Sequence, residues 1–284
     1  MRYKLVFVND VGTVEFSMSS RMVIQKITSL TQQKTTINTT ASNREIGEKL
    51  EAQHVKPKPV QILGTILGPS DDLRQQMMHV IAPLSAGKLI FNDTYALDVV
   101  VQESPDISSH ENNAKFSFTL YAAYPYWLKR ESDKTTLVGL RGLFSFPWNI
   151  SNPNPFKFSE YVEIGYVTVN NTGEAPAYWT VTFLALDEVT NPRIYNMETA
   201  EYVKILRTME TGEQITISTE GEELVVSITA PDGTVSDGFE YLDVESLPFN
   251  LKVGENYIKT DAESNTAALR ASISFRPAFV GVGV

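Results

Sequence analysis

The residues of this chain with the chemistry to act on a ligand are three histidines, several adjacent carboxylate pairs and two tryptophan sites. His54, His79 and His110 are scattered. No two stand four apart and there is no cysteine to join them, so the ligand spacing of a zinc site is missing. Structural or solvated roles are expected, with His79 on the border of a helix's apolar stripe, two residues from both Met77 and Ile81. The pairs Asp71/Asp72, Asp187/Glu188 and Glu222/Glu223 are sequence neighbours. Glycoside hydrolysis needs two carboxyls facing each other across a cleft, which adjacency does not supply. No Gly-x-Ser-x-Gly elbow occurs. Gly64–Ser70 has the outline of a phosphate loop entering a helix, but it lacks the lysine, and Pro69 removes an N–H. Asp232–Gly238 is rich in oxygen ligands, yet without the spacing and terminal glutamate of a calcium loop it reads as a β-turn. Trp148, and Trp179 beside Tyr178, offer faces on which a sugar could stack. Trp179, Val181 and Phe183 share one strand face, however, which directs Trp179 to a core. No catalytic, cofactor-binding or metal-binding residue is assigned.

The elements around these residues are mostly short strands. One helix is expected after Ser70, a good N-cap, with Asp71 and Asp72 in the first turn where the helix dipole favours them. Leu73, Met77, Val80, Ile81 and Leu84 form its apolar stripe, and Ala82-Pro83 ends it. Strands are read at 1–7, turning at Asn9–Gly12, and at 13–17, then at 88–91, 95–103 and 115–122; the last alternates Phe116, Phe118, Leu120 and Ala122 with polar or amphipathic residues. Between Ser29 and Pro59 the chain turns polar, with isolated Ile37, Ile46, Leu50 and Val55, and a weak helical turn at 45–50. This stretch is either a surface loop or an arm that orders against a neighbouring subunit. Lys129–Thr136 reads as a linker. Beyond it, strands are read at 161–169, 178–184, 202–207, 215–218, 224–229, 257–260 and 270–276, with turns at Thr219–Glu222 and Pro231–Gly233. Without crossover helices, such strands argue for an antiparallel sandwich.

Length and apolar fraction suit one large or two ordinary domains. No apolar run reaches the roughly 20 residues of a membrane helix. The stretch before Asn9-Asp10 is too short for a signal peptide, and the lack of cysteine fits synthesis in a reducing cytoplasm. A net charge of −10 argues against a duplex-binding surface and favours solubility.

Gly64-x-Ile66-Leu67-Gly68-Pro69, the capped helix, Gly87-Lys88-Leu89 and Tyr124-Pro125-Tyr126-Trp127 resemble the distal tail protein family of siphovirus bacteriophages and prophages. Phe144-x-Phe146-Pro147, Asn171-x-Gly173-x-Ala175-x-Ala177, Leu251-x-x-Gly254-x-Asn256 and Arg276-Pro277-x-Phe279 resemble its second half, in order. The resemblance implies a mainly β protein. An N-terminal β-barrel or sandwich with one α-helix (1–140, with a polar arm at about 30–60) would build a ring, most simply a hexamer. A galectin-like antiparallel β-sandwich (141–284) would face outward. The implied function is a structural hub of the tail tip or baseplate, without enzymatic activity or cofactor. It would join the tail tube to the tail-associated fibre or lysin protein and to receptor-binding proteins, leaving a channel for DNA. The implied location is the virion tail tip, with no membrane contact and no tight DNA binding. The alternatives are a carbohydrate-binding module adhering to the host wall and, third, a hydrolase.

Overall fold

Alternation of apolar and polar residues builds nearly every element. The computed structural model describes residues 4–41, 46–108, 112–137, 139–142, 159–162, 165–221 and 224–283. It divides into two compact units, Met1–Glu131 with Ala278–Val284, and Ser132–Pro277. His110, Phe144, Phe146, Pro147, Trp148, Glu222 and Glu223 lie outside the described residues.

The first unit contains β1 (Leu5–Val8), β2 (Thr13–Phe16), β3 (Met22–Ile27), β4 (Thr35–Ala41), β5 (Glu48–Val55) and β6 (Lys58–Pro69). Helix α1 (Asp71–Val80), β7 (Ala86–Phe91), β8 (Tyr95–Ile107), β9 (Asn112–Ala122) and β10 (Trp127–Lys129) follow. An antiparallel sheet runs β2-β1-β7-β8-β9-β6-β3; β10 pairs with β8 and with a returning strand, Ala278–Phe279. This sheet is rolled. Phe16 on β2 stands four places from β9, roughly 19 Å in a flat sheet at about 4.8 Å per strand. Yet its ring centroid lies 5.6 Å from that of Phe116 and 5.5 Å from that of Phe118. The concave side holds a continuous apolar core from Leu5 and Phe7 through Ile62 and Ile66 to Phe118, Leu120 and Trp127. Gly64 is required there, because a Cβ would lie 2.3 Å from Phe116 Cζ and 2.5 Å from the Val23 carbonyl.

Helix α1 buries Met77 and Val80, with Ile81 at its end, so the stripe is real, but Leu84 is 82 % exposed. The helix has already stopped there and Leu84 adopts a left-handed φ of 62°. Ser70 stands at the N-cap without a side-chain capping hydrogen bond. His79 is exposed rather than on the stripe's border.

In the second unit two antiparallel sheets face each other. One runs Asp133–Thr136, Leu269–Phe275, Trp179–Ala185, Gln214–Ser218, Val225–Thr229, Val235–Asp237; the other runs Val167–Asn171, Gly254–Asp261, Arg193–Asn196, Tyr202–Lys204. Trp179, Val181 and Phe183 pack with Ile273 and Phe275 against Val169, Ile194, Val203 and Ile258 of the facing sheet. Strict alternation on Trp179–Ala185 and Leu269–Phe275 produces this sandwich. Two expectations are corrected. The 161–169 strand is interrupted, with strands at Ser159–Val162 and Val167–Asn171. The linker read at Lys129–Thr136 ends in a strand, Asp133–Thr136, whose residues pair with Ser272–Phe275. As an edge strand it has no need of an apolar pattern.

Candidate assembly site

The polar stretch is a β-hairpin. β4 and β5 pair from Thr35↔Val55 to Ala41↔Glu48, replacing both the surface loop and the helical turn expected at 45–50. Every β5 residue is exposed, as is all of β4 but the half-buried Thr36. An isolated two-stranded ribbon is marginal in water. Cross-strand partners share a face, which places Thr35, Val55, Ile37 and Gln53 together. A register shift after Asn38 then pairs Thr39 with Leu50 instead of Glu51. That one-residue bulge moves Leu50 onto the face of Ile37 and Val55, where regular pairing would have put Glu51. The opposite face carries His54, Asn38 and Lys49. Ile37 is 61 % exposed and Leu50 52 %, so the ribbon has one apolar face with no cover from its own subunit.

The root of this arm is tightly held. Lys56 N donates to the Lys34 carbonyl at 2.8 Å, and Gln33 Nε2 donates to the Lys56 carbonyl at 2.5 Å. Lys58, which follows, is 2 % exposed, and its ammonium donates to the Val280 carbonyl at 2.6 Å. Burial pulls its pKa down from 10.5 to about 8.

The residues singled out for chemistry do not converge. Asp71 and Asp72 sit exposed in the first turn of α1. Asp187 Oδ1 accepts the Glu188 N–H in a local turn at 2.8 Å. Asp232 accepts the Thr234 N–H at 2.8 Å beside Gly233 (φ 87°), closing the hairpin between Val225–Thr229 and Val235–Asp237. Among the described residues no group of three or more His, Asp or Glu could hold a metal ion. Trp179 is fully buried, and its indole N–H donates to the Phe249 carbonyl at 2.7 Å. His54 is the one candidate on the arm, where it pairs with Thr36. Among the described residues no helix is long and apolar enough to cross a membrane.

The family-like motifs turn out to be braces. Asn171 donates to the carbonyls of Ala175 and Leu251 (3.0 and 3.1 Å) and accepts the Gly173 N–H at 2.9 Å. Asn256, fully buried, donates to the carbonyls of Lys252 and Gly254 (2.9 and 3.0 Å) and accepts the Lys252 N–H at 2.9 Å. Both asparagines satisfy turn backbone that would otherwise be orphaned. Sequence reasoning missed Lys58 and the bulge; a lone Lys between two prolines gives no sign of burial.

Residues 172–279 match the family model described as the siphovirus-type tail component, C-terminal domain, so the resemblance read from the sequence holds. The fold is shared with the Dit protein of phage SPP1, described as a paradigm of the hub adsorption apparatus in phages that infect Gram-positive hosts. That similarity has a TM-score of 0.69 at 12 % identity, over 98 % of this chain and 99 % of that one. It is also shared with a chain of the phage P2 baseplate in its activated conformation. The TM-scores are 0.54 with Ca and 0.53 with Sr, at 12 % identity and 97 % coverage of both chains. No curated protein matches the chain.

Proposed function

We propose that this chain, whose residues 172–279 match the model of the siphovirus-type tail component C-terminal domain, is the structural hub subunit of a phage tail tip. Its first unit closes into a ring, most simply a hexamer, and the exposed hairpin of each copy lies against the next. The ring joins the tail tube to the tail-associated fibre or lysin protein. The outward sandwich is available to receptor-binding proteins, and the bore leaves a channel for DNA. The role is scaffolding, without covalent chemistry, in the virion tail tip.

The observation that carries this reading is the hairpin's apolar face, exposed along Ile37, Leu50 and Val55. An exposed apolar ribbon invites strand-edge aggregation unless a specific partner covers it, and closed rings supply that partner by symmetry. The excess of acids suits the bore, since like charge repels the duplex within the roughly 8–10 Å that salt permits.

Negative-stain imaging and sedimentation at high protein concentration test the proposal, alone and with tail-tube and fibre proteins of the same phage. Closed rings with a central hole that leave duplex DNA unshifted in a gel are expected. A strict monomer in every mixture would sink the ring. A bore lined by Lys and Arg, with salt-sensitive DNA binding, would overturn the channel.

A further inference from the structure

Three stretches far apart in sequence meet at the root of the hairpin. On the sheet side, Thr28 N donates to the Gln61 carbonyl at 2.9 Å, and Gln61 N donates to Thr28 Oγ1 at 3.0 Å. On the arm side, the Lys34–Lys56 rung begins the ribbon. The segment following Ala278–Phe279 touches the chain between these rungs on both roots. Lys58 reaches the Val280 carbonyl from the outgoing root. On the incoming root, Val282 N donates to the Leu30 carbonyl at 3.4 Å, and Val282, 2 % exposed, shares the apolar core with Leu30. Between those two contacts, Gly281 lies backbone to backbone on Thr31: a Cβ at Gly281 would stand 2.5 Å from Thr31 Cα and 3.0 Å from its carbonyl oxygen. Such a contact cannot be relieved by changing a rotamer, because the obstacle is main chain.

We infer that residues 278–282 are a lock that fixes the direction in which the β4–β5 arm leaves the sheet, with Lys58, Gly281 and Val282 as its positioning residues. The inference rests on reading the arm as the intersubunit element and names what presets it. A segment bonded to one root alone would leave the other free to swing. One bonded to both, through a buried ammonium on one side and a backbone contact on the other, removes that freedom. Ordering the arm before assembly spares the association step that cost.

The chain has no cysteine, so a pair of introduced thiols can be labelled cleanly. Nitroxides at Asn38→Cys on the arm and Gln102→Cys on β8 report the arm's direction by double electron–electron resonance, in monomer dilute enough not to assemble. A single narrow distance peak is expected, with loss of that peak in Gly281→Ala and Lys58→Met. Lys58→Met keeps the apolar stem, so it serves where Gly281→Ala fails to fold. Variants that keep the narrow peak overturn the lock. Sedimentation of the same variants at high concentration separates the two readings. Unchanged peaks in a protein that still forms rings remove the lock alone, and lost peaks with undiminished ring formation remove the arm's role in assembly while the lock stands.

Discussion

Replacing Ile37 and Leu50 together by serine should disassemble the proposed ring while leaving the subunit intact. Both side chains stand on the bulge-aligned face of the hairpin, 61 % and 52 % exposed in the subunit. Full burial of such a side chain is worth about 1.5–3 kcal/mol, so covering the exposed half or more contributes roughly 1 kcal/mol or somewhat over for each, and about 2–3 kcal/mol per interface for the pair. By the affinity relation this weakens each contact roughly 30- to 160-fold. Folding should change by no more than about 0.5 kcal/mol, as for surface positions without special roles. Sedimentation equilibrium gives the first quantity and thermal melting the second. The reasoning is refuted by a double variant that assembles at the parent's concentration, or by one that melts several degrees lower. The first would mean that the face is not an interface; the second, that it is covered within the subunit.

Other consequences are independent of assembly. With the Lys58 pKa lowered from 10.5 to about 8, the unfolded state binds more protons between these values, so stability should rise as pH goes from about 8 toward 10.5. Melting curves of Lys58→Met should lack that rise. Asn256→Ala strips partners from the Lys252 N–H and from the Lys252 and Gly254 carbonyls, and should cost on the order of 2–4 kcal/mol in denaturant titration. A loss under 1 kcal/mol would assign the turn's order to other contacts. The fragment Ser132–Pro277, carrying its own two-sheet core, is expected to melt cooperatively by itself. One starting at Leu143 loses the Asp133–Thr136 edge strand and should melt lower.

What the sequence revealed follows from which residues are buried. Strand β9 was legible because Phe116, Phe118, Leu120 and Ala122 all face the core while Lys115, Ser117 and Tyr121 do not. Helix α1 was legible through Met77, Val80 and Ile81, and overextended to Leu84 because an apolar residue beyond the last turn still fits the period. The arm was illegible as a hairpin, since a ribbon exposed on both faces has no inside and outside to alternate. Asn171 and Asn256 stood out only within the family-like motifs, since what they brace lies up to 87 residues away. Lys58 was missed for the same reason. Its acceptor at Val280 stands 222 residues on, and a charged side chain ordinarily belongs to the surface.

The energetics decide between a loop that orders on assembly and an arm that waits preformed. Its two strands hold seven and eight residues. Fixing that many backbones costs about 1–2 kcal/mol each, some 15–30 kcal/mol in all. The apolar face returns only a few kcal/mol per contact at the burial it has available. Assembly through a disordered segment of this composition would therefore be uphill unless main-chain pairing and the root met most of the cost inside the subunit. Inside the subunit that pairing is the whole β4–β5 ladder, from Thr35↔Val55 to Ala41↔Glu48, with the Lys34–Lys56 rung and Lys58 on Val280 at its root. The same logic explains a ribbon of mostly polar residues with Ile37, Leu50 and Val55 gathered on one side by a bulge. Polar positions keep it soluble, and in the proposed ring the gathered face would give the neighbouring copy one register to recognise.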